Sequence, residues 1–220
     1  MTASLPPLRL IAPGRVDYTQ GIELQERLEA QRLAGAIPDT VVVLEHPPVI
    51  TLGHRGDAGN VIAPAERLRA MGLEVHRISR GGDVTYHGPG QVVMYPIVDL
   101  NAAKLGAAAF IELLEECMIR VAAEQGVEVR RLPRKRGVFA GLDKVGAVGI
   151  HIGHGVTTHG LALNVDPDLS HFDLIVSCGL RDHGVTSLSR VANRAIDQSA
   201  VEQGLVVHFA HLLGRRIDDV

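Results

Sequence analysis

The sequence predicts an α+β fold. Its 220 residues amount to a single domain on the usual scale. Helix-periodic and strand-periodic stretches are interspersed along it. Three strand-like segments, 138–140, 144–152 and 157–165, are separated only by Gly141-Leu142-Asp143 and Gly153-His154-Gly155. Such short connections make antiparallel hairpins, because a parallel crossover needs a dozen residues or more. The expectation is one domain over 1–220, with a mixed or antiparallel sheet flanked by helices.

The elements follow in chain order. Residues 17–33 read as an amphipathic helix, with Asp17 or Thr19 as cap and Ile22, Leu24, Leu28 and Leu33 near a 3.6-residue period. Residues 41–44 form a short buried strand, stopped by His46-Pro47-Pro48. Pro64 suits the first turn of a helix that runs to Ala70 and stops at Gly72. Residues 73–78 alternate as a strand does, and 91–100 form another, in which Pro96 implies an edge position or an irregularity. The longest helix is expected over 104–125, ended by Gly126, followed by the three hairpin strands. Residues 185–191 and 199–213 read as helical.

Composition narrows the function. Apolar residues make up 46% and charged residues 21%, which argues against disorder. Twenty-two basic against 25 acidic side chains give a net charge of −3, so no overall field recruits nucleic acid or an anionic membrane. Aromatics at 3%, without tryptophan, argue against base-stacking platforms. Two cysteines make no disulfide framework. With no signal-peptide pattern and no apolar run of membrane-spanning length, a soluble, cytoplasmic protein is expected.

Three segments break local rules, as functional sites tend to. The string Arg80-Gly81-Gly82-Asp83-Val84-Thr85-Tyr86-His87-Gly88-Pro89-Gly90-Gln91 packs four glycines and a proline into 12 residues. It suits a backbone that curls closely around a ligand, although a plain surface loop has the same composition. It is neither a Walker loop nor a dinucleotide-binding turn. Lys144-Val145-Gly146-Ala147-Val148-Gly149 opens a strand with a lysine and leaves room beside its glycines, while an ordinary strand-end lysine is solvated. Cys178 follows an apolar stretch and precedes a glycine, a position from which a thiol can face a cleft and act as a nucleophile. Cys117, by contrast, shares an i, i+3, i+4, i+7 apolar face with Leu114, Met118 and Val121, which marks it as core. His151, His154 and His159 lack a zinc-site pattern, and no metal is expected. Arg55-Gly56-Asp57 carries no signal. The run Arg130-Arg131-Leu132-Pro133-Arg134-Lys135-Arg136 is either a solvated loop or a place for an acidic partner.

Taken together, these segments resemble the octanoyl-acyl-carrier-protein:protein transferases of lipoate biosynthesis, the lipoate-protein ligase B family. The 80–91 string, Lys144-Val-Gly-Ala-Val-Gly149, His159-Gly160-Leu161-Ala162-Leu163-Asn164 and Cys178-Gly179 stand in the family's order and spacing, as do 44–53 and 185–188. The similarity spans roughly residues 8 to 215. One departure is Ser177, where the family usually has proline. The resemblance implies the fold of biotin and lipoate protein ligase catalytic domains. It also implies that Cys178 takes octanoyl from octanoyl-acyl carrier protein as a thioester. The acceptor would be a lysine of lipoyl domains of 2-oxoacid dehydrogenases or of the glycine cleavage H protein. Lys144 would be the acid/base partner. Arg80, Gly81, Gly82, Asp83, Val84, Thr85, Tyr86, His87, Ala147, Val148, Gly149, Gly160, Leu161 and Ala162 would line the acyl pocket. Thioester exchange followed by amide formation runs downhill without a nucleotide, so no cofactor is implied. A lysine can hold the thiol proton and return it, which an arginine cannot do. Two alternatives are an ATP-dependent ligase on the same fold and an acyl-binding protein without catalysis.

Overall fold

The structure, a computed structural model, describes residues 5–176 and 184–218. In chain order the first half comprises β1 (Pro7–Arg15), α1 (Tyr18–Leu33), β2 (Asp39–Glu45), β3 (Val49–Leu52), α2 (Ala65–Ala70), β4 (Glu74–Arg77), β5 (Val84–His87), β6 (Gln91–Ile97) and α3 (Leu100–Ala103). Then come α4 (Ala107–Glu124), β7 (Val138–Ala140), β8 (Asp143–Gly153), β9 (Val156–Asn164), α5 (Leu188–Ala192), α6 (Gln198–Leu213) and β10 (Arg216–Asp218).

The main sheet has seven strands in the order β10-β1-β2-β6-β9-β8-β7, and a second has three in the order β4-β3-β5. β1 pairs in parallel with β10 and β2, while β2, β6, β9, β8 and β7 are successively antiparallel. The β8–β9 turn has positive φ at both His154 (52°) and Gly155 (90°), the backbone that a two-residue hairpin requires. Alternation along β2 divides the core. Val41 and Val43 face α4 and α6 together with Met94, Leu163, Phe110, Cys117 and Phe209. Val42 and Leu44 face α1 with Leu28, Val93 and Tyr95. Ile50, Leu52, Leu68, Val84, Tyr86 and Leu174 form a third cluster around the small sheet. The α+β expectation, mixed sheets flanked by helices, describes this architecture.

Some elements differ from the sequence reading. β1 and β10, along with β3 and β5 of the small sheet, were not expected. In β1 the register with β2 shifts between Ile11 and Gly14, a bulge that absorbs Pro13. Pro96 lies in a central strand and not at an edge, which corrects one alternative. The other holds, because β6 pairs with β9 only as far as Met94↔Leu161. Beyond that point Thr157 Oγ1 donates to the Pro96 carbonyl (2.6 Å) and accepts from the Val98 N–H (3.0 Å), so the missing proline donor costs little. β6 also ends earlier than expected, because Asp99 caps α3 through the Asn101 and Ala102 N–H groups. α4 starts at Ala107, since Lys104 adopts a left-handed conformation (φ 56°) as the C-cap of α3. Of 185–191 only the end is helical, and Ser187 caps α5. Among the described residues no helix is long and apolar enough to cross a membrane.

Candidate functional site

Beside β8 and β9, paired from Gly146↔Leu163 through Gly149↔Gly160, lies a cavity of about 690 Å³. Among the described residues its walls are Lys144, 146–150, 160–162, the 80–85 loop and His87. Tyr18, Gln91, Tyr95, His159, Asn164, Phe172 and Val185 also line it, and Arg55, Ile111, Arg134, Lys135 and Arg136 complete the lining.

Glycines let the loop and strand meet. A Cβ on Gly149 would lie 3.0 Å from the Gly81 carbonyl and 3.1 Å from Arg80 Cδ. On the other side, a Cβ on Gly53 would lie 2.6 Å from the Gly82 carbonyl oxygen. The loop is thus wedged between two backbones, and the Gly81 N–H donates to the Ile150 carbonyl (2.9 Å). Arg80 is buried in this wall and braces it. Its guanidinium donates to Thr51 O (3.0 Å), Thr51 Oγ1 (2.8 Å) and Gly81 O (3.0 Å). Asp83 holds the loop to the 57–60 turn by accepting from the Asp57 N–H and from Asn60 Nδ2. Every residue expected to line the acyl pocket does line this cavity except Tyr86. Strand alternation turns Tyr86 toward the small sheet's core, where its hydroxyl meets His171 Nδ1 (2.7 Å). Burial, with Asp168 and Glu45 nearby, pushes that phenol up to about 12.

The inner end is polar, with uncharged imidazoles and phenols gathered beside the Arg80 guanidinium. His46 Nδ1 donates to the Val16 carbonyl (2.7 Å), so its Nε2 accepts from the Tyr95 hydroxyl (2.8 Å). His87 and His159 are each pushed down to about 3, first by burial, then by His46 and Arg80 around His87 and by Arg80 around His159. His159 has a left-handed backbone (φ 57°) inside a strand, a local strain of the kind that collects at functional sites. A line of hydrogen bonds leaves His87: Nδ1 to Gln91 Oε1 (2.6 Å), Gln91 Nε2 to Asn164 Oδ1 (2.8 Å), and Asn164 Nδ2 to the Thr186 carbonyl (3.0 Å). The Thr186 N–H then donates to the Lys144 carbonyl (2.9 Å), and the Lys144 N–H to the Gly184 carbonyl (2.9 Å).

Lys144 lines the cavity with its Nζ 5.4 Å from the centre of the Phe139 ring. Cys178 and Ser177 lie outside the described residues. The described residues on either side are anchored, as the Val176 N–H donates to the Asn60 carbonyl (2.7 Å) and Gly184 bonds to Lys144. Cys117 is buried in α4, as its apolar face implied, and burial pushes its thiol up to about 12. The basic run is divided. Arg131 pairs with Glu115 and Glu116, and the Gly137 N–H donates to Glu115 (2.8 Å). Arg134, Lys135 and Arg136 remain beside the cavity. His154 occupies the hairpin turn while His159 faces inward to Ser79 and Tyr95.

Sequence reasoning passed over Tyr18, Arg55, Tyr95 and Phe172 as lining, since nothing local distinguishes them from core or loop residues. Gln91 and Asn164 lie in the 80–91 and 159–164 motifs, but nothing local in the sequence shows that their side chains meet.

Residues 17–210 match the lipoyl protein ligase A/B catalytic domain. The chain is 44% identical over 216 residues to an octanoyltransferase of Acidobacterium capsulatum, covering 92% of this chain and 87% of that one. It is 43% identical to the mitochondrial octanoyltransferase LIP2 of Arabidopsis thaliana, covering 86% of this chain and 80% of that one. Among solved structures, a lipoate-protein ligase A bound with ATP superimposes with a TM-score of 0.73 at 15% identity, covering 98% of this chain and 89% of that one. The biotin protein ligase of Aquifex aeolicus in complex with biotin and ATP gives 0.57 at 14% identity, covering 93% and 70%. At these identities the two structures speak to the fold alone.

Proposed function

Because the chain belongs to the lipoyl protein ligase A/B catalytic-domain family and its relatives include octanoyltransferases, we propose that it transfers octanoyl to protein lysines. The donor is octanoyl-acyl carrier protein, the acceptors are lipoyl domains, and Cys178 carries the acyl group between them as a thioester. One arrangement supports this above the others. Lys144 stands on the cavity wall, and its backbone binds Gly184 and Thr186, immediately after the segment that contains Cys178. The lysine's strand is thereby tied to the stretch of chain that follows Cys178 in sequence, which supports pairing the two in one mechanism.

The chemistry needs a thiolate, and a free cysteine near pKa 8.5 is only a few per cent ionised at neutral pH. Lys144 takes the thiol proton, and the sulfur attacks the donor's thioester carbonyl. Collapse of the adduct expels the carrier's thiolate, which takes the proton back from the ammonium. In the second half the acceptor amine attacks the enzyme's thioester, its excess proton passes to the neutral lysine, and Cys178 leaves as thiolate. Gly146, Ala147, Gly149, Gly160 and Ala162 leave space for the acyl chain, and each methylene so buried contributes about 0.8 kcal/mol.

Intact-mass analysis after mixing with octanoyl-acyl carrier protein, without ATP, is the direct test. A one-octanoyl adduct is expected for the wild type and for Cys117→Ser, and none for Cys178→Ser. An adduct lost with Cys117→Ser but kept with Cys178→Ser overturns the assignment.

A further inference from the structure

We propose that Gln91 and Asn164 are positioning residues, whose linked side-chain amides hold His87 in its Nδ1–H form with the Nε2 lone pair open to the cavity as an acceptor for a substrate N–H. This rests on the octanoyl-transfer reading, in which two groups bring such a donor: the acceptor lysine's amine and the amide-bearing arm of the thioester donor.

Two backbone carbonyls, which can only accept, fix the direction of the whole line. Gln91 Nε2 lies 3.3 Å from the Tyr86 carbonyl, so its NH₂ end points there and toward Asn164 Oδ1. Asn164 Nδ2 lies 3.0 Å from the Thr186 carbonyl, which fixes Asn164 in the same sense. Gln91 Oε1 is left facing His87 Nδ1 at 2.6 Å, and only a proton on Nδ1 satisfies that contact. Nε2 then carries the lone pair. His87 lines the cavity. Among the described residues, Tyr18 from α1, His46 after β2, Arg80 and His159 of β9 are the titratable and charged groups facing this ring. None is a carboxylate that would draw a second proton onto it. An imidazole kept neutral in this way orients an N–H without retaining a proton, which leaves proton movement to Lys144. The same amides end on Thr186, hydrogen-bonded to Lys144, so His87 and the lysine strand are held in one register.

Full-length protein labelled with ¹⁵N-histidine tests this, with the His87 signals identified by their loss in His87→Gln. The expected spectrum at pH 7 is the Nδ1–H tautomer, with no titration down to pH 4.5. A proton on Nε2, or titration near 6.5, overturns the proposal, and once the His87 signals are assigned both are read on the wild-type protein. Gln91→Glu is expected to raise the titration by more than one pH unit, and Gln91→Leu to mix the tautomers; signals unmoved in both overturn the proposal. The half-reactions of Gln91→Leu identify the donor. A tenfold or greater loss in discharge to a lipoyl domain, with loading from a plain alkyl thioester unchanged, assigns the acceptor amine. A comparable loss only in loading from carrier-bound octanoate assigns the donor's arm, and no loss in either step overturns the role. Failure of the wild type to form any adduct would count against octanoyl transfer itself, and the tautomer spectrum keeps that failure separate.

Discussion

At the scale of single residues, the proposed chemistry turns on the difference between a lysine and an arginine at one strand position. Both carry a positive charge and could favour a nearby thiolate, but a guanidinium does not release a proton in proteins. Lys144→Arg should therefore leave the fold intact and remove proton transfer. The expected result is an unchanged circular dichroism spectrum with single-turnover transfer lowered by about 10²–10⁴-fold, the usual contribution of a general acid–base group. A variant within threefold of wild type would take the lysine out of the mechanism. The two cysteines illustrate what one residue can reveal. Cys117 was legible because its neighbours at helical spacing are apolar, and it is fully buried. Gln91 and Asn164 were visible as letters but not as partners, since strand pairing brings them together across 73 positions of sequence.

Elements add a constraint that no side chain supplies, because the 80–82 loop seats closely on β8 at Gly149, which has no side chain, next to the Gly81 hydrogen bond to the Ile150 carbonyl. Gly149→Ala would place a methyl 3.0 Å from the Gly81 carbonyl, backbone against backbone, where neither partner yields readily. Such overpacking costs about 1–3 kcal/mol. The expected outcome is a lower melting temperature and a larger loss in acyl-enzyme formation than in stability, because the displaced loop is a cavity wall. Unaltered acyl-enzyme formation would show that the loop's seat on β8 is unimportant to the site. The same scale explains which elements could be read from sequence. α1, α4 and α6 span 16 to 18 residues, long enough for the 3.6-residue period to emerge, and Asp17 and Gly126 mark ends correctly. β3 and β5 have four residues each, lie beside prolines and glycines, and take their order from pairing with each other. Strands of that kind are defined by their partners, and local pattern does not contain them.

Across the whole molecule, a net charge of −3 conceals a local concentration of positive charge, where Arg55, Arg134, Lys135 and Arg136 gather at one cavity. Charge at a mouth steers partners regardless of the sum. Reversing Arg134 and Lys135 to glutamate should raise KM for carrier-bound octanoate and leave a small octanoyl thioester unaffected. Equal effects on both donors would remove this rim as a docking surface. Family membership does not by itself imply the cytoplasm, since an Arabidopsis relative is mitochondrial.

The polar inner end has a further global consequence, the response of stability to acid. His87 and His159 are both held neutral down to about pH 3 in the folded chain, chiefly by burial. In the unfolded chain each takes up a proton near its ordinary value of about 6.5. Between those limits the unfolded state binds more protons, so stability rises with pH across the window. It is fully present above about 6.5 and is lost as the pH falls toward 3. Each histidine contributes a slope of about 1.4 kcal/mol per pH unit. His159→Asn removes one such group and keeps a side chain that tolerates the left-handed backbone. Whatever its absolute stability, this variant should lose about 2 kcal/mol less than wild type between pH 6.5 and 5.0 in urea unfolding. Parallel pH profiles for the two proteins would mean that His159 accepts a proton in the folded state and is not held neutral beside Arg80.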